Sequence, residues 1–239
     1  MSATGLQAAG FVQKGNYLTV QLKQHQNFGP SQVRLQVVND QIIRVQATAE
    51  QSFRNKQSLI IVPQEGKANY KVEEQGDRLV ITTAAMRAVL NEATGQITFY
   101  DLNGQVLLNE VAQGGKTFKP FTVPDREIGV DIAKVPEAQK HGWSWRALFD
   151  SPDNEAFYGL GQHQSEELNM KGKNEDLFQY NTKVSVPFVI SNKNYGILWD
   201  SYSYCRWGNP DDYLQLNRAF KLYDKDGKEG QLTSTYVAK

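Results

Sequence analysis

The segment Phe157-Tyr158-Gly159-Leu160-Gly161-Gln162-His163-Gln164 opens the stretch of sequence that decides the fold. A polar loop follows, and after it come Leu177-Phe178-Gln179-Tyr180-Asn181-Thr182 and the strand-like run Val184-Ser185-Val186-Pro187-Phe188-Val189-Ile190. The two glycines of the first segment allow a positive φ or the close approach of another backbone. The aromatic and polar side chains around Asn181 can stack on a ligand and hydrogen-bond to it. This stretch therefore combines strand signals with side chains suited to ligand binding.

The first half of the chain alternates apolar and polar side chains with a period of two, which is typical of strands with one buried face. The clearest runs are 18–23, 33–37 and 43–48. Turn signals separate such runs at Asn39-Asp40, Gln75-Gly76-Asp77, Thr94-Gly95 and Asn103-Gly104. No stretch shows a helical period across about 11 residues. The pattern predicts an all-β, antiparallel sandwich with less than about 10% helix.

Opposite charges balance over the chain, with 26 Lys and Arg against 26 Asp and Glu. A general nucleic-acid binder and a polybasic membrane surface both need a positive excess, so the composition argues against both. No apolar run approaches about 20 residues, which predicts no membrane span. Residues 1–5 lack the charged and apolar regions of a signal peptide. A disulfide-free surface rich in glutamine and asparagine suits the periplasm or the cytosol; the compartment stays unassigned, with a periplasmic or secreted location favoured.

Cysteine and histidine are too sparse for a metal site. The single cysteine, Cys205, excludes an internal disulfide and a site built on thiolates. The three histidines, His25, His141 and His163, lie far apart with no regular spacing. We therefore expect no metal site, and a structural or peripheral role for His163.

The segment 157–202 resembles the N-terminal β-sandwich domain of glycoside hydrolase family 31, the family of α-glucosidases and α-xylosidases. The hairpin at 94–110 looks like a second segment of these domains, and the arginine-bearing strand 42–45 precedes it as in the family. The resemblance covers most of 32–220. It implies a two-sheet antiparallel supersandwich of the galactose-mutarotase-like fold.

In this family the catalytic aspartates lie on strand ends of a (β/α)₈ barrel that follows the sandwich, and the reaction retains configuration and uses no cofactor. The chain shows no βα alternation for a barrel, so the resemblance implies no catalytic residue within it. We expect a non-catalytic N-terminal domain, inactive alone, whose parent enzyme hydrolyses O-glycosyl bonds. Its partners would be a carbohydrate substrate and its own C-terminal barrel. Carboxylates such as Glu175 are expected to cover solvated turns.

The candidate site is Gln179-Tyr180-Asn181-Thr182. In the family the corresponding loop often reads tryptophan, asparagine, any residue, aspartate, and it reaches over the barrel mouth to the sugar. Asn181 matches the asparagine, whereas Lys183 stands where an aspartate is common. The resemblance implies substrate-binding roles for Asn181 and Thr182, with the buried strand 184–190 holding the loop rigid. An ordinary turn with polar tips is the alternative.

Two other functions remain open at this point. A free-standing carbohydrate-binding module would bind sugar with this chain alone. A mutarotase-like sugar epimerase would need a pocket of histidine and glutamate, which the scattered histidines do not suggest. Trp143 and Trp145 lie on one face of a predicted strand. They serve either packing, in the core or between sheets, or sugar stacking.

The domain organisation is predicted from composition near the end of the chain. Residues 1–222 would form the N-terminal sandwich. The charged, glycine-punctuated stretch after residue 222 predicts a linker. Some members of the family carry an inserted module of the PA14 type about here, so the resemblance implies that 223–239 would end in the first strand of such a module. The chain is therefore expected to be a fragment cut at a domain boundary.

Overall fold

A computed structural model describes residues 10–23, 27–54, 57–62, 68–122, 132–164 and 167–209, and the backbone of four short strands beyond them. The chain divides into two compact units, Met1–Pro152 and Asp153–Lys239. Helix in the described residues is limited to a 3₁₀ turn, Ile132–Lys134, and one short helix, α1 (Glu137–Lys140). The all-β prediction is confirmed. The predicted linker and module after residue 222 remain a prediction, because most of 210–239 lies outside the described residues.

The first sheet of unit 1 is a four-stranded antiparallel meander. Its strands are β1 (Phe11–Lys14), β2 (Tyr17–Gln21), β3 (Gln32–Asn39) and β4 (Ile42–Thr48), in that order. In β2 and β3, Leu18 lies opposite Leu35 and Val20 opposite Val33, and all four are fully buried. The predicted turn at Asn39-Asp40 connects β3 to β4.

The second sheet of unit 1 has five antiparallel strands, also in chain order. They are β5 (Lys71–Gln75), β6 (Arg78–Thr82), β7 (Arg87–Asn91), β8 (Ile97–Tyr100) and β9 (Val106–Asn109). The three predicted glycine turns lie between these strands. Gly95 has φ +77°, and a Cβ there would lie 2.9 Å from Leu22, so both the backbone and the packing require glycine.

A single hydrophobic core joins the two sheets of unit 1. The fully buried side chains Leu79, Ile81 and Leu90 of the second sheet belong to the same cluster as those of β2 and β3. Each sheet therefore turns one face inward, as the period of two predicts for a sandwich.

A two-stranded ribbon completes unit 1. It pairs β10 (Lys116–Thr122) with β11 (His141–Ala147). At its base the buried Lys116 forms an ion pair with the buried Glu110 and donates to the Gly95 carbonyl at 2.9 Å. Burial raises the pKa of Glu110 and lowers that of Lys116, because both charges are removed from water.

Unit 2 is built around a three-stranded sheet. The first five strands of unit 2 are β12 (Phe157–Gln162), β13 (Glu175–Leu177), β14 (Val184–Ser191), β15 (Tyr195–Leu198) and β16 (Cys205–Trp207). The sheet has the order β12-β14-β15, and β13 pairs with β16. Farther on, β17 (Leu214–Leu216) pairs with β20 (Thr235–Val237), and β18 (Leu222–Tyr223) with β19 (Glu229–Gly230).

The glycines of β12 serve the purpose that the sequence predicts. Gly159 and Gly161 have φ +133° and +100°, and the register against β14 shifts between them. A Cβ at Gly159 would lie 2.6 Å from the Phe188 carbonyl oxygen, and one at Gly161 would overlap the Val184 carbonyl oxygen. The resulting β-bulge turns the fully buried Leu160 into the core of unit 2.

The strand β14 differs from its prediction as a buried strand. Val189 packs in the core of unit 2, but Val184, Val186, Phe188 and Ile190 are exposed on the opposite face. An unbroken apolar run hides this division, because successive side chains of a strand point to opposite faces. Neither helical segment of the described residues has the length and hydropathy of a membrane-spanning helix.

Candidate functional site

A tight turn at Tyr180–Lys183 presents the two predicted binding residues. The Lys183 N–H donates to the Tyr180 carbonyl at 2.9 Å, which leaves Asn181 and Thr182 at the two central positions. Both are exposed. Within the described part of the chain, neither side chain makes a hydrogen bond, so their donors and acceptors face solvent.

A nearly buried ion pair anchors this turn. Lys183 Nζ lies 3.0 Å from Glu175 Oε2, and the side chains are only 9% and 16% exposed. The expectation that Glu175 covers a solvated turn is therefore wrong: it lies on β13 and faces the lysine. Lys183 does not occupy the tip of the turn either. It is the last residue of the turn, and its side chain points inward to Glu175.

His163 adds a third member to the anchor. Its Nε2 lies 2.8 Å from the Leu160 carbonyl oxygen, and its Nδ1 lies 3.2 Å from Glu175 Oε2 without hydrogen-bond geometry. A donated Nε2–H accounts for the first contact. The imidazole is only 6% exposed. This burial agrees with the expected structural role of His163 and leaves the pair with Glu175 closed to a sugar.

Two exposed aromatic rings lie at the start of the turn. Phe178 and Tyr180 lie just before Asn181, with ring centroids 6.2 Å apart and planes tilted by 32°. Apolar ring faces beside an amide and a hydroxyl are the usual means of holding a sugar. The aromatic character was visible in the sequence, whereas the Glu175–Lys183 pair was missed, because no periodicity distinguishes a buried charge from a solvated one.

A second buried polar network supports the far end of the sheet. Glu155 Oε1 accepts hydrogen bonds from Ser191 Oγ and the Tyr195 hydroxyl, each at 2.5 Å. Burial, followed by the hydrogen bond to Glu155, raises the pKa of Tyr195. The members of this network hydrogen-bond one another, so we assign the network a structural role.

Two of the three histidines lie among the residues that the structure describes. No group of three histidine, cysteine or acidic side chains among the described residues could hold a metal ion. His141 contacts Glu137 at 3.0 Å on the exposed ribbon of unit 1, whereas His163 is buried in unit 2. The third histidine, His25, lies outside the described residues.

The chain matches one family over most of its length. Residues 32–207 match the family described as the glycosyl hydrolase 31 N-terminal galactose mutarotase-like domain. Among curated proteins, the chain is 27% identical over 178 residues to an uncharacterized family 31 glucosidase of Pseudescherichia vulneris. It is 25% identical over 185 residues to an α-xylosidase of Saccharolobus solfataricus. These alignments cover 71% and 73% of this chain but 32% and 23% of the relatives, so the chain spans a third or less of their length.

Solved structures agree with this match. An α-xylosidase of Xanthomonas citri is 35% identical with a TM-score of 0.73, and the match covers 94% of this chain and 24% of the xylosidase. An α-xylosidase from a soil metagenome, solved with xylose, is 25% identical with a TM-score of 0.62 and is matched over 83% of this chain and 29% of its own. A dextranase of Flavobacterium johnsoniae shares the fold at 21% identity, with a TM-score of 0.57 and coverages of 82% and 22%.

Proposed function

The chain belongs to the glycosyl hydrolase 31 N-terminal galactose mutarotase-like domain family, and we propose that its parent enzyme cleaves terminal α-xylosyl bonds. In this proposal the chain is the non-catalytic N-terminal domain. Its turn at Tyr180–Lys183 reaches the active-site mouth of a following barrel, where Asn181 and Thr182 hydrogen-bond to the sugar.

The coverage of the relatives supports the division of labour. The chain spans 32% or less of each of the two curated relatives and the two α-xylosidase structures. Most of each relative therefore lies outside the matched domain, which leaves room for a separate catalytic barrel. The two solved structures at 35% and 25% identity are both α-xylosidases, which favours an α-xyloside over an α-glucoside.

The shape of the turn is the observation that carries the binding role. Asn181 and Thr182 leave their polar groups exposed, while Lys183 and Glu175 fix the base of the same turn. A polar tip on a rigid base loses less conformational entropy on binding than a mobile loop does. An ordinary turn does not need a buried ion pair beneath it.

The test uses the full-length enzyme that contains this chain. We expect it to hydrolyse an aryl α-xyloside faster than an aryl α-glucoside, and the 239-residue chain to hydrolyse neither. Turnover by the isolated chain that disappears on mutating one of its own carboxylates would contradict the proposal. A full-length enzyme that prefers the aryl α-glucoside would leave the proposed role of the domain unchanged, but it would show that the substrate is an α-glucoside.

A further inference from the structure

The ribbon of β10 and β11 carries two tryptophans on one face. Trp143 and Trp145 are separated by one residue of β11, so both side chains point the same way. They are 42% and 48% exposed. Their register partners on β10 are Pro120 and Phe118, which lie on the same face. This surface, the Trp143/Trp145 face, extends roughly 7 Å between the two tryptophan positions.

Neither tryptophan is used for core packing. Both lie outside the two hydrophobic clusters of the described residues, whereas Trp199 and Trp207 pack against the core of unit 2 with their rings stacked at 5.8 Å. The core-packing interpretation of Trp143 and Trp145 is therefore wrong. Two large aromatic side chains that lie side by side and half in water form a contiguous apolar patch, and large patches of this kind mark interaction sites.

Two carboxylates near this face, Glu50 and Glu137, already have partners. The Trp143 indole Nε1–H points to Glu50 Oε1 at 3.4 Å, and the hydrogen bonds of Arg54, followed by that of Trp143, hold the pKa of Glu50 below its usual value. At the His141 end of the ribbon, Glu137 pairs with Lys140 at 3.0 Å and contacts His141 at 3.0 Å. A ligand here meets flat apolar rings bordered by neutralised polar groups. Such a border suits an uncharged molecule with many hydroxyls.

We propose that the Trp143/Trp145 face binds a neutral oligosaccharide, with pyranose rings lying against the two indoles. The ligand class rests on the proposed function, since a glycosidase acts on such chains, but the site lies within unit 1 and is formed without the turn at Asn181. The face would hold a polysaccharide substrate through sugars that are not cleaved. Stacking on aromatic faces supplies the attraction, and the paired polar groups at the border supply hydrogen bonds.

Binding is tested on the 239-residue chain with a cellotetraose carrying α-linked xylose as the probe. Titration followed by tryptophan fluorescence and by calorimetry should give saturable binding, and an anionic oligogalacturonate of the same length should not bind. Trp143→Ala and Trp145→Ala should each weaken the binding by about three- to tenfold, because each removes one stacking surface. Phe121→Ala is the matched control: Phe121 is 48% exposed on the same ribbon but pairs with Gly142 on the opposite face.

A second measurement on the unmodified chain avoids any folding defect of the variants. The bound oligosaccharide should protect Trp143 and Trp145 from N-bromosuccinimide oxidation, as read by peptide mass spectrometry. No binding by the unmodified chain, equal loss in Phe121→Ala, or oxidation that is unaffected by sugar would overturn the proposal. So would a change of oligomeric state in the tryptophan variants without loss of sugar binding, since that would make the face a protein interface.

The two proposals fail separately. An enzyme that cleaves no aryl glycoside while the chain still binds the oligosaccharide would refute the proposed function and retain the binding face. An enzyme that cleaves the aryl α-xyloside while Trp143→Ala and Trp145→Ala bind the oligosaccharide normally would refute the binding face alone.

Discussion

Lys183 closes the turn that displays Asn181 and also forms an ion pair with Glu175 beneath it. Its N–H donates to Tyr180 at 2.9 Å, and its ammonium lies 3.0 Å from the carboxylate. One residue therefore fixes the backbone of the turn and joins it to β13. The two central residues, Asn181 and Thr182, stay exposed beside the exposed Tyr180.

Replacing Lys183 by methionine should destabilise the chain by about 3 kcal/mol, because it leaves the Glu175 carboxylate nearly buried without its cation. Urea unfolding measures the loss. Lys173→Met is the control: its ion pair with Glu167 is exposed on both sides, so the change should stay below about 1 kcal/mol. Adding Glu175→Gln to Lys183→Met should recover part of the stability. Equal effects of Lys183→Met and Lys173→Met would show that the buried pair does not anchor the turn.

Gly161→Ala should destabilise unit 2 strongly, since the new methyl group meets the Val184 carbonyl oxygen at a φ of +100°. Gly172→Ala in the same unit has φ +71° and open space, so it should cost only the backbone strain of about 1 kcal/mol. Thermal unfolding of the two variants compares the costs. A similar loss in both would mean that the β-bulge relaxes around the added carbon.

The alkaline stability of the chain should depend on Tyr195. Burial and Glu155 raise its folded pKa above the ordinary value of 10.0. The contribution of protonated Tyr195 to the free energy of unfolding is therefore complete below about pH 10. It decreases as the pH rises toward the folded pKa. Tyr195→Phe should unfold with a flatter pH dependence above about pH 10, and at neutral pH it should lose about 1 kcal/mol with the missing hydrogen bond.

The control for this pH dependence is Tyr158→Phe, which removes an exposed hydroxyl from the same unit. It should unfold with the pH dependence of the unmodified chain. A slope above pH 10 that is the same in Tyr195→Phe and in the unmodified chain would contradict the assignment.

The sequence predicted most of the fold because one rule governs it. Alternation in β2 and β3 placed Leu18, Val20, Val33 and Leu35 on one face, and the structure buries all four. The same alternation divides the continuous apolar run of β14 into a buried and an exposed face. The sequence prediction treated the whole run as buried and therefore missed the exposed face. Each of these predictions depends only on residues that are close together in the sequence.

The position of the candidate residues could be predicted, whereas their role stays a prediction. Local sequence and family resemblance predicted a polar loop at Asn181 and Thr182, and the structure has both at the centre of an exposed turn. The pairing of Glu175 with Lys183 depends on β13 meeting the start of β14, a contact that no local pattern encodes. Charged residues in sequence resemble a solvated surface until the fold brings them together.

Asn181 offers the most direct test of the sugar-binding role proposed for the turn. Its amide can donate and accept at once, which suits adjacent sugar hydroxyls. It is exposed, and it makes no hydrogen bond to any other residue that the structure describes. Removing the amide should therefore disturb a sugar contact in the enzyme while leaving the fold of the chain unchanged.

In the full-length enzyme, Asn181→Ala should lower kcat/KM for the aryl α-xyloside by about 5- to 150-fold, which corresponds to about 1–3 kcal/mol of lost transition-state binding. Steady-state kinetics measures this, and unfolding of the 239-residue chain should change by less than about 0.5 kcal/mol. Asn103→Ala, at the exposed tip of a hairpin in unit 1, is the control and should leave kcat/KM intact. An unchanged kcat/KM in Asn181→Ala would reduce the turn to a connection between strands. A large loss of stability instead would make Asn181 a structural residue, because an amide that contacts only substrate has nothing to stabilise in the free chain.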